Sequence, residues 1–250
     1  MKRDLSYFLT DWQFDPTDIC ARKIRGRDGR EKLQVRLDLG VLQMEIKGRP
    51  DGETPKGHAS MLDHYLDKLE AHRKKGESDD TFRLDADECG DLGQEGLLFY
   101  HRYICLLRLG EFEGVVRDTT HNLALLDLVQ AYAEDEEDRL SFEQYRPYVL
   151  MINTRAKGEL CLLDEDHQGA LQRIEEGMSK IRASLEACEE IDGEEELQAL
   201  STWAEEIDRD KPRTLLQQLT LDLQQAIADE RYEQAAKLRD RLRTLDHRHS

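Results

Sequence analysis

The spacing of apolar residues changes character along the chain. Leu33, Val35, Leu37 and Leu39 alternate with polar positions, the period-2 pattern of a half-buried strand. After Gly40 the apolar parity moves to Leu42, Met44 and Ile46, and a turn or bulge at the glycine accounts for the move. Asp28-Gly29 between two extended runs predicts a hairpin, and "GRPDG" predicts a closing turn. The result is a small antiparallel sheet of two or three strands. It is too small to stand alone and is expected to pack on the helices that follow.

From Gly57 onward the period is helical. Met61, Leu62, Tyr65, Leu66 and Leu69 form a stripe that ends in basic residues before Gly76. The polar loop 74–87 is the best candidate boundary, and helix resumes near Ala86. Segments 100–123 and 155–178 share one plan: an apolar helix with Cys-Leu-Leu near its end, a short turn, then an amphipathic helix. The spacing from Cys105 to Cys161 is longer than one tetratricopeptide unit, yet both segments resemble that repeat. Gly158 and Ala170 stand where the repeat takes small residues, whereas the first segment has Gly110 and Phe112 at its turn and Tyr103 at a small position. Between the segments, Ser141, Phe142 and Gln144 suggest a capping box. Beyond an acidic run at 189–196, residues 208–213 with Pro212 look like a linker.

The last segment has two matching seams. Leu216, Leu219, Leu223 and Ala226 repeat the spacing of Ala235, Leu238, Leu242 and Leu245, which predicts two antiparallel helices joined at 229–232. Ala226, Ala235 and Ala236 permit close backbone approach, Tyr232 can cap the apolar end, and Glu233 to Lys237 is a favourable i,i+4 pair. The expected fold is therefore mainly α. A small N-terminal antiparallel β element spans 1–56, a tetratricopeptide-like helical body 57–207, and a helical hairpin 213–247.

Charge changes this picture by removing classes of function. With 54 acidic against 36 basic residues the formal charge is −18, which repels phosphate backbones at long range. Hydrophobic residues make up 38% and charged residues 36%, so thin helical layers with large wet faces are expected. Cys20, Cys89, Cys105, Cys161 and Cys188 are widely spaced with no C-x-x-C, which fits free thiols in a reducing cytoplasm; Cys105 and Cys161 lie in apolar runs. "MKRDLSYFLTDWQF" has no apolar core for a signal peptide, and no run is long enough to cross a membrane. The expected location is cytoplasmic.

Candidate chemistry is sparse. Arg22, Lys23, Arg25, Arg27, Arg30 and Lys32, continued by Arg36, are opposed only by Asp28 and Glu31, a local patch able to contact phosphates. No aromatic residue interleaves within it, and the competing reading is a solvated hairpin facing the chain's own acidic surface. His101 and His121 would form an acid–base or metal site only by converging with a carboxylate. Acidic runs such as 134–138 read as solvated faces. No nucleophile elbow, P-loop or dinucleotide fingerprint occurs, so no catalytic, cofactor or metal residue is assigned and the expectation is a protein that is not an enzyme.

"DERYEQAAKLRDRLRTL", residues 229–245, resembles the UVR motif of the B and C subunits of the bacterial UvrABC excision nuclease. Tyr232, Glu233, Ala235, Ala236, Leu238, Arg239 and Asp240 fall on the motif's characteristic positions. Regulators of arginine kinase and Clp proteases also carry the motif, but with zinc-binding C-x-x-C pairs that this chain lacks. The stretch from Arg22 to Gly52 further resembles the opening of bacterial UVR-motif proteins with helical middles. The resemblance implies a hairpin that associates with other proteins. Its expected contact residues are Leu219, Leu223, Ala226, Tyr232, Glu233, Ala235, Ala236, Leu238, Arg239, Asp240, Leu242 and Leu245, with another UVR-motif protein or a second copy as partner. Three readings stay open: an interaction adaptor, an accessory of nucleotide-excision repair, and a nucleic-acid binder using the basic hairpin. The hairpin packing only on its own helical body is the competing structural reading.

Overall fold

Three short strands precede a long series of helices. The computed structural model describes residues 6–188, 190–211, 215–229 and 231–246, with the side chains of 7, 8, 215–218, 221, 235, 240 and 242–246 outside the described set. After a short helix α1 (Ser6–Leu9), strands β1 (Ala21–Arg25), β2 (Glu31–Leu37) and β3 (Gly40–Glu45) form an antiparallel sheet in the order β1-β2-β3. The β1–β2 turn carries Asp28-Gly29: Gly29 has φ +77°, and the Gly26 amide donates to Arg30 O at 2.7 Å. A left-handed residue suits the twist of a tight hairpin, and glycine supplies it without a Cβ clash.

The β2–β3 turn explains the parity change. Leu37 pairs with Gly40, so residues 38 and 39 form a two-residue loop. Leu33 and Val35 are buried as the alternation requires, but so are Gln34 and Arg36 between and beyond them at 8% and 9%, while Leu37 is 42% exposed and Leu39 87%. Alternation runs on through the turn in sequence, whereas the strand stops before it.

The sheet rests on helices. Leu33, Val35 and Met44 are buried in one cluster with Tyr103, Cys105, Leu106, Val115, Ile152 and Ala156. Those partners come from α3 (Ala86–Arg108), α4 (Phe112–Tyr132) and α6 (Arg146–Leu163). A second core joins α2 (Met61–Lys74) to the start of α3 and the end of α4 through Tyr65, Leu69, Leu92, Leu125 and Val129. There Leu84 forms an isolated parallel bridge with Ala133.

Successive long helices run antiparallel. Cross-links pair 95 with 121 and 102 with 118 between α3 and α4, and 153 with 119 and 146 with 127 between α6 and α4. A short α5 (Glu136–Glu143) intervenes; Ser141 lies inside it rather than capping it, with its hydroxyl donating to Asp138 O at 2.7 Å. The capping box that does form is at α3, where Asp85 accepts from the Glu88 amide at 2.9 Å and the Glu88 carboxylate accepts from the Asp85 amide at 3.2 Å.

The two Cys-Leu-Leu helices end in the same kind of turn. The Glu111 amide donates to Leu106 O across Gly110 at φ +73°, and the Asp166 amide donates to Cys161 O across Glu165 at φ +59°. Both are left-handed C-terminal caps, the second built on a glutamate. The helices end at Arg108 and Leu163, so the triplets stand one residue out of step with their helix ends. One residue rotates a helical position by about 100°. The offset puts Cys161 where Leu106 stands in the first turn; Cys105 and Leu106 are each buried at 2%, whereas Cys161 is half-buried, so the second helix end is the less covered of the two.

Small residues set the approach of the next helices, α7 (His167–Ala187) and α8 (Glu194–Asp210). A Cβ on Gly158 would meet the Trp203 ring at 2.5 Å, and one on Gly177 would meet Thr154 Oγ1 at 2.0 Å. Ala170 is fully buried. The chain divides into two compact units, Met1–Ala204 and Glu205–Ser250. No described helix is long and apolar enough to cross a membrane.

Candidate functional site

The second unit contains α9 (Leu215–Ala228) and α10 (Tyr232–Asp246). The connection is too short for anything but an antiparallel pair, and it is held by local bonds. The Arg231 amide donates to Ala226 O at 2.8 Å, and Gln225 Nε2 donates to Asp229 Oδ1 at 2.9 Å. Hydrogen bonds from Gln225 and then Arg231 hold the Asp229 carboxyl below its usual range.

Leu219, Ala226 and Leu238 are buried together, with Leu223 packed against them. Within a single chain these seam residues already face one another. Tyr232 does not cap them: it is 67% exposed at the first position of α10. Helical side chains lean toward the N-terminus, which carries this ring away from the seam. Ile227, in the last turn of α9, is 53% exposed. Glu233 and Arg239 are exposed and Ala236 is half-buried. Ala235, Asp240, Leu242 and Leu245 fall on α10 with side chains outside the described residues; Leu216 is likewise outside on α9, and Pro212 of the linker lies outside altogether.

A match to known families falls on this hairpin: residues 213–248 fit the family model described as the UvrB/uvrC motif. The chain contains a UVR motif. The UVR motif is an interaction motif of excision-repair proteins, and here it covers α9 and α10 only. Neither the curated proteins nor the solved structures provide a match to this chain.

Away from the UVR motif, the basic β-hairpin keeps most of its charges engaged. Arg22 lies 3.8 Å from the Trp12 ring centroid and its Nε donates to Gln34 Oε1 at 3.0 Å. Lys23 pairs with Glu111, Arg30 with Asp28 at 3.0 Å, and Lys32 with both Asp28 and Glu45. Arg25 Nε donates to Gly29 O at 3.1 Å, and Arg27 is exposed. Arg36 turns inward, donating to the carbonyls of Trp12, Asp38 and Gly40. Trp12 is the aromatic neighbour that the local sequence did not reveal, because it arrives from a separate segment.

The histidines divide. His121 Nε2 lies 3.0 Å from Glu95 Oε1, and its ring stacks on Phe99 with centroids 3.8 Å apart. His101 projects from another face of α3 beside Tyr100, and burial lowers its pKa. Glu95 is fully buried and also accepts from the Met61 and Leu62 amides at 2.7 and 3.0 Å, so it serves as the anion at the N-terminus of α2. Burial pushes the Glu95 carboxyl up, but the bonds from His121, Met61 and Leu62 outweigh it and hold the pKa below its usual value.

Two turns along α3 from Glu95, Arg102 and Asp118 form a fully buried two-pronged pair at 2.6 and 2.7 Å. Arg102 Nη1 also donates to Glu45 O and Gly48 O at 2.9 and 2.7 Å. The guanidinium therefore fastens the end of β3 to the helices. Among the described residues, no group of three or more His, Cys, Asp or Glu side chains is placed to hold a metal ion. Cys89 and Cys105 are buried thiols pushed up to about 11, which suits packing rather than nucleophilic chemistry.

Proposed function

We propose that the protein is a non-enzymatic adaptor that docks through its UVR hairpin to another UVR-type hairpin, in a partner or a second copy. The observation carrying this reading is the family match at residues 213–248, on a unit separate from the helical body. The filled seam directs the docking surface outward, to Ile227 and Tyr232 beside the turn, with Glu233 and Arg239 setting register. The helical body, read as tetratricopeptide-like, offers a second binding surface and leaves the protein in the cytoplasm of a bacterial cell. Accessory action in nucleotide-excision repair is the same docking with an excision-nuclease subunit as partner.

Analytical ultracentrifugation of the full chain, alone and with a purified excision-nuclease B subunit from the same cell, tests the reading. Association in either mixture is expected to weaken at least about tenfold in Ile227→Asp/Tyr232→Ala, whose side chains are exposed. Leu238→Asp is a poorer probe, because it places a charge in the buried seam and unravels the hairpin itself. A monodisperse monomer that binds no UVR-motif protein overturns the proposal.

A further inference from the structure

The helical body holds a half-open cavity of about 780 Å³ between α3, α4, α5 and α6. Its volume is that of a small-molecule site rather than a packing defect. In a chain whose residues are 36% charged, no residue lining this cavity carries a charge. The wall is aromatic: Tyr100 meets Tyr103 edge-on at 5.5 Å and Tyr148 at 6.4 Å, with Phe142 and Tyr145 also lining the space. Gly93 and Gly96 contribute bare backbone from α3, and a Cβ on Gly93 would crowd the Phe142 ring at 3.3 Å. Leu97, Tyr100 and Tyr145 are 54%, 37% and 59% exposed, which leaves apolar rims in contact with solvent.

One polar group in this lining is unfinished. Asn122 is 7% exposed, and its Nδ2 donates to Gly96 O at 3.0 Å. That bond fixes the orientation of the amide, since only the nitrogen can donate to a carbonyl. Asn122 Oδ1 is buried and has no hydrogen-bond partner. A buried carbonyl without a donor is costly, and native proteins rarely leave one unless something else satisfies it.

We propose that this cavity is a binding site for a small, uncharged, planar aromatic molecule that presents an N–H or O–H donor to Asn122 Oδ1. The aromatic wall takes the rings, the charge-free lining rejects ions, and the amide selects for a donor. The site lies wholly in the first unit, so it stands or falls independently of docking by the hairpin.

Calorimetric titration of the full chain with three bicyclic probes decides the matter. 2-Naphthol is expected to bind saturably at one site. 2-Methoxynaphthalene, which keeps the rings and lacks the donor, is expected to bind about tenfold more weakly, and naphthalene-2-sulfonate more weakly again. Asn122→Leu should erase the preference for 2-naphthol over its methyl ether. Leu97→Trp, at an exposed rim position, should weaken all binding while leaving the helical circular dichroism intact, and this variant serves even where Asn122→Leu fails to fold. Absence of saturable 2-naphthol binding, equal affinity for naphthol and ether in the wild type, or binding unchanged in Leu97→Trp overturns the proposal.

Discussion

Asp118→Ala is expected to lower the unfolding free energy of the first unit by about 3–5 kcal/mol, the usual cost of stranding one partner of a buried ion pair. Arg102 and Asp118 are both fully buried, and after the substitution the guanidinium keeps the carbonyls of Glu45 and Gly48 and the face of Phe99, but no paired anion. Carbonyl dipoles do not neutralise a buried cation, so water must enter or the contact with β3 must open. Asp118→Asn, which keeps the shape and loses the charge, should lie between wild type and alanine. Arg117→Ala is the control: Arg117 also touches Asp118 at 2.8 Å but is 42% exposed, and its loss should cost less than about 1 kcal/mol. Urea unfolding of the full chain, followed by the fluorescence of Trp12 and Trp203, measures all three in one unit. A loss below about 1 kcal/mol for Asp118→Ala would show that the pair does not hold the sheet to the helices.

Glu95→Gln is expected to destabilise the same unit by about 3 kcal/mol at neutral pH, and the difference from wild type should shrink in acid. The folded Glu95 carboxyl is held below its ordinary value of 4.5. As pH falls, the unfolded chain therefore takes up this proton before the folded chain does. The stabilisation is complete above 4.5 and is lost as pH drops through the lower folded value. Glutamine cannot titrate and places a donor amide among groups that already donate: the Met61 and Leu62 amides and His121 Nε2. Other carboxylates, such as Asp79 held to about 2 beside Arg73, titrate in both proteins and cancel in the comparison. A wild-type–variant gap that stays constant from pH 7 to about pH 3 would refute an ionised Glu95.

The helical class, the Asp28-Gly29 turn and the terminal hairpin were legible because each is a local pattern. Period and turn chemistry act over a few residues, and the chain obeys them. The clasp was not read, because Glu95, Arg102 and Asp118 look like solvent charges in so charged a sequence and meet across 16 to 57 positions. Yet a signal was present. Leu92, Glu95, Phe99, Arg102 and Leu106 step along one face of α3, and Val115, Asp118, Asn122, Leu125 and Val129 along one face of α4. Charges inside an apolar stripe are candidates for buried pairs. The Asn122 amide belongs to that same stripe, so the polar point of the proposed cavity was written in the α4 periodicity. Its aromatic wall, from α3, α5 and α6, depends on tertiary packing that no local period encodes.

Arg102 sits 57 residues beyond Glu45 and 54 beyond Gly48, the carbonyls it grips. During synthesis the three strands are complete long before their anchor exists. A nascent chain grown only to residue 100 has a finished sheet sequence but lacks Arg102, Tyr103, Leu106, Val115 and Ile152, which supply its fastening and its apolar floor. So small a sheet is marginal in water by itself. The sheet is thus made before the helices that make it permanent, and its Leu33, Val35 and Met44 face remains open until they arrive.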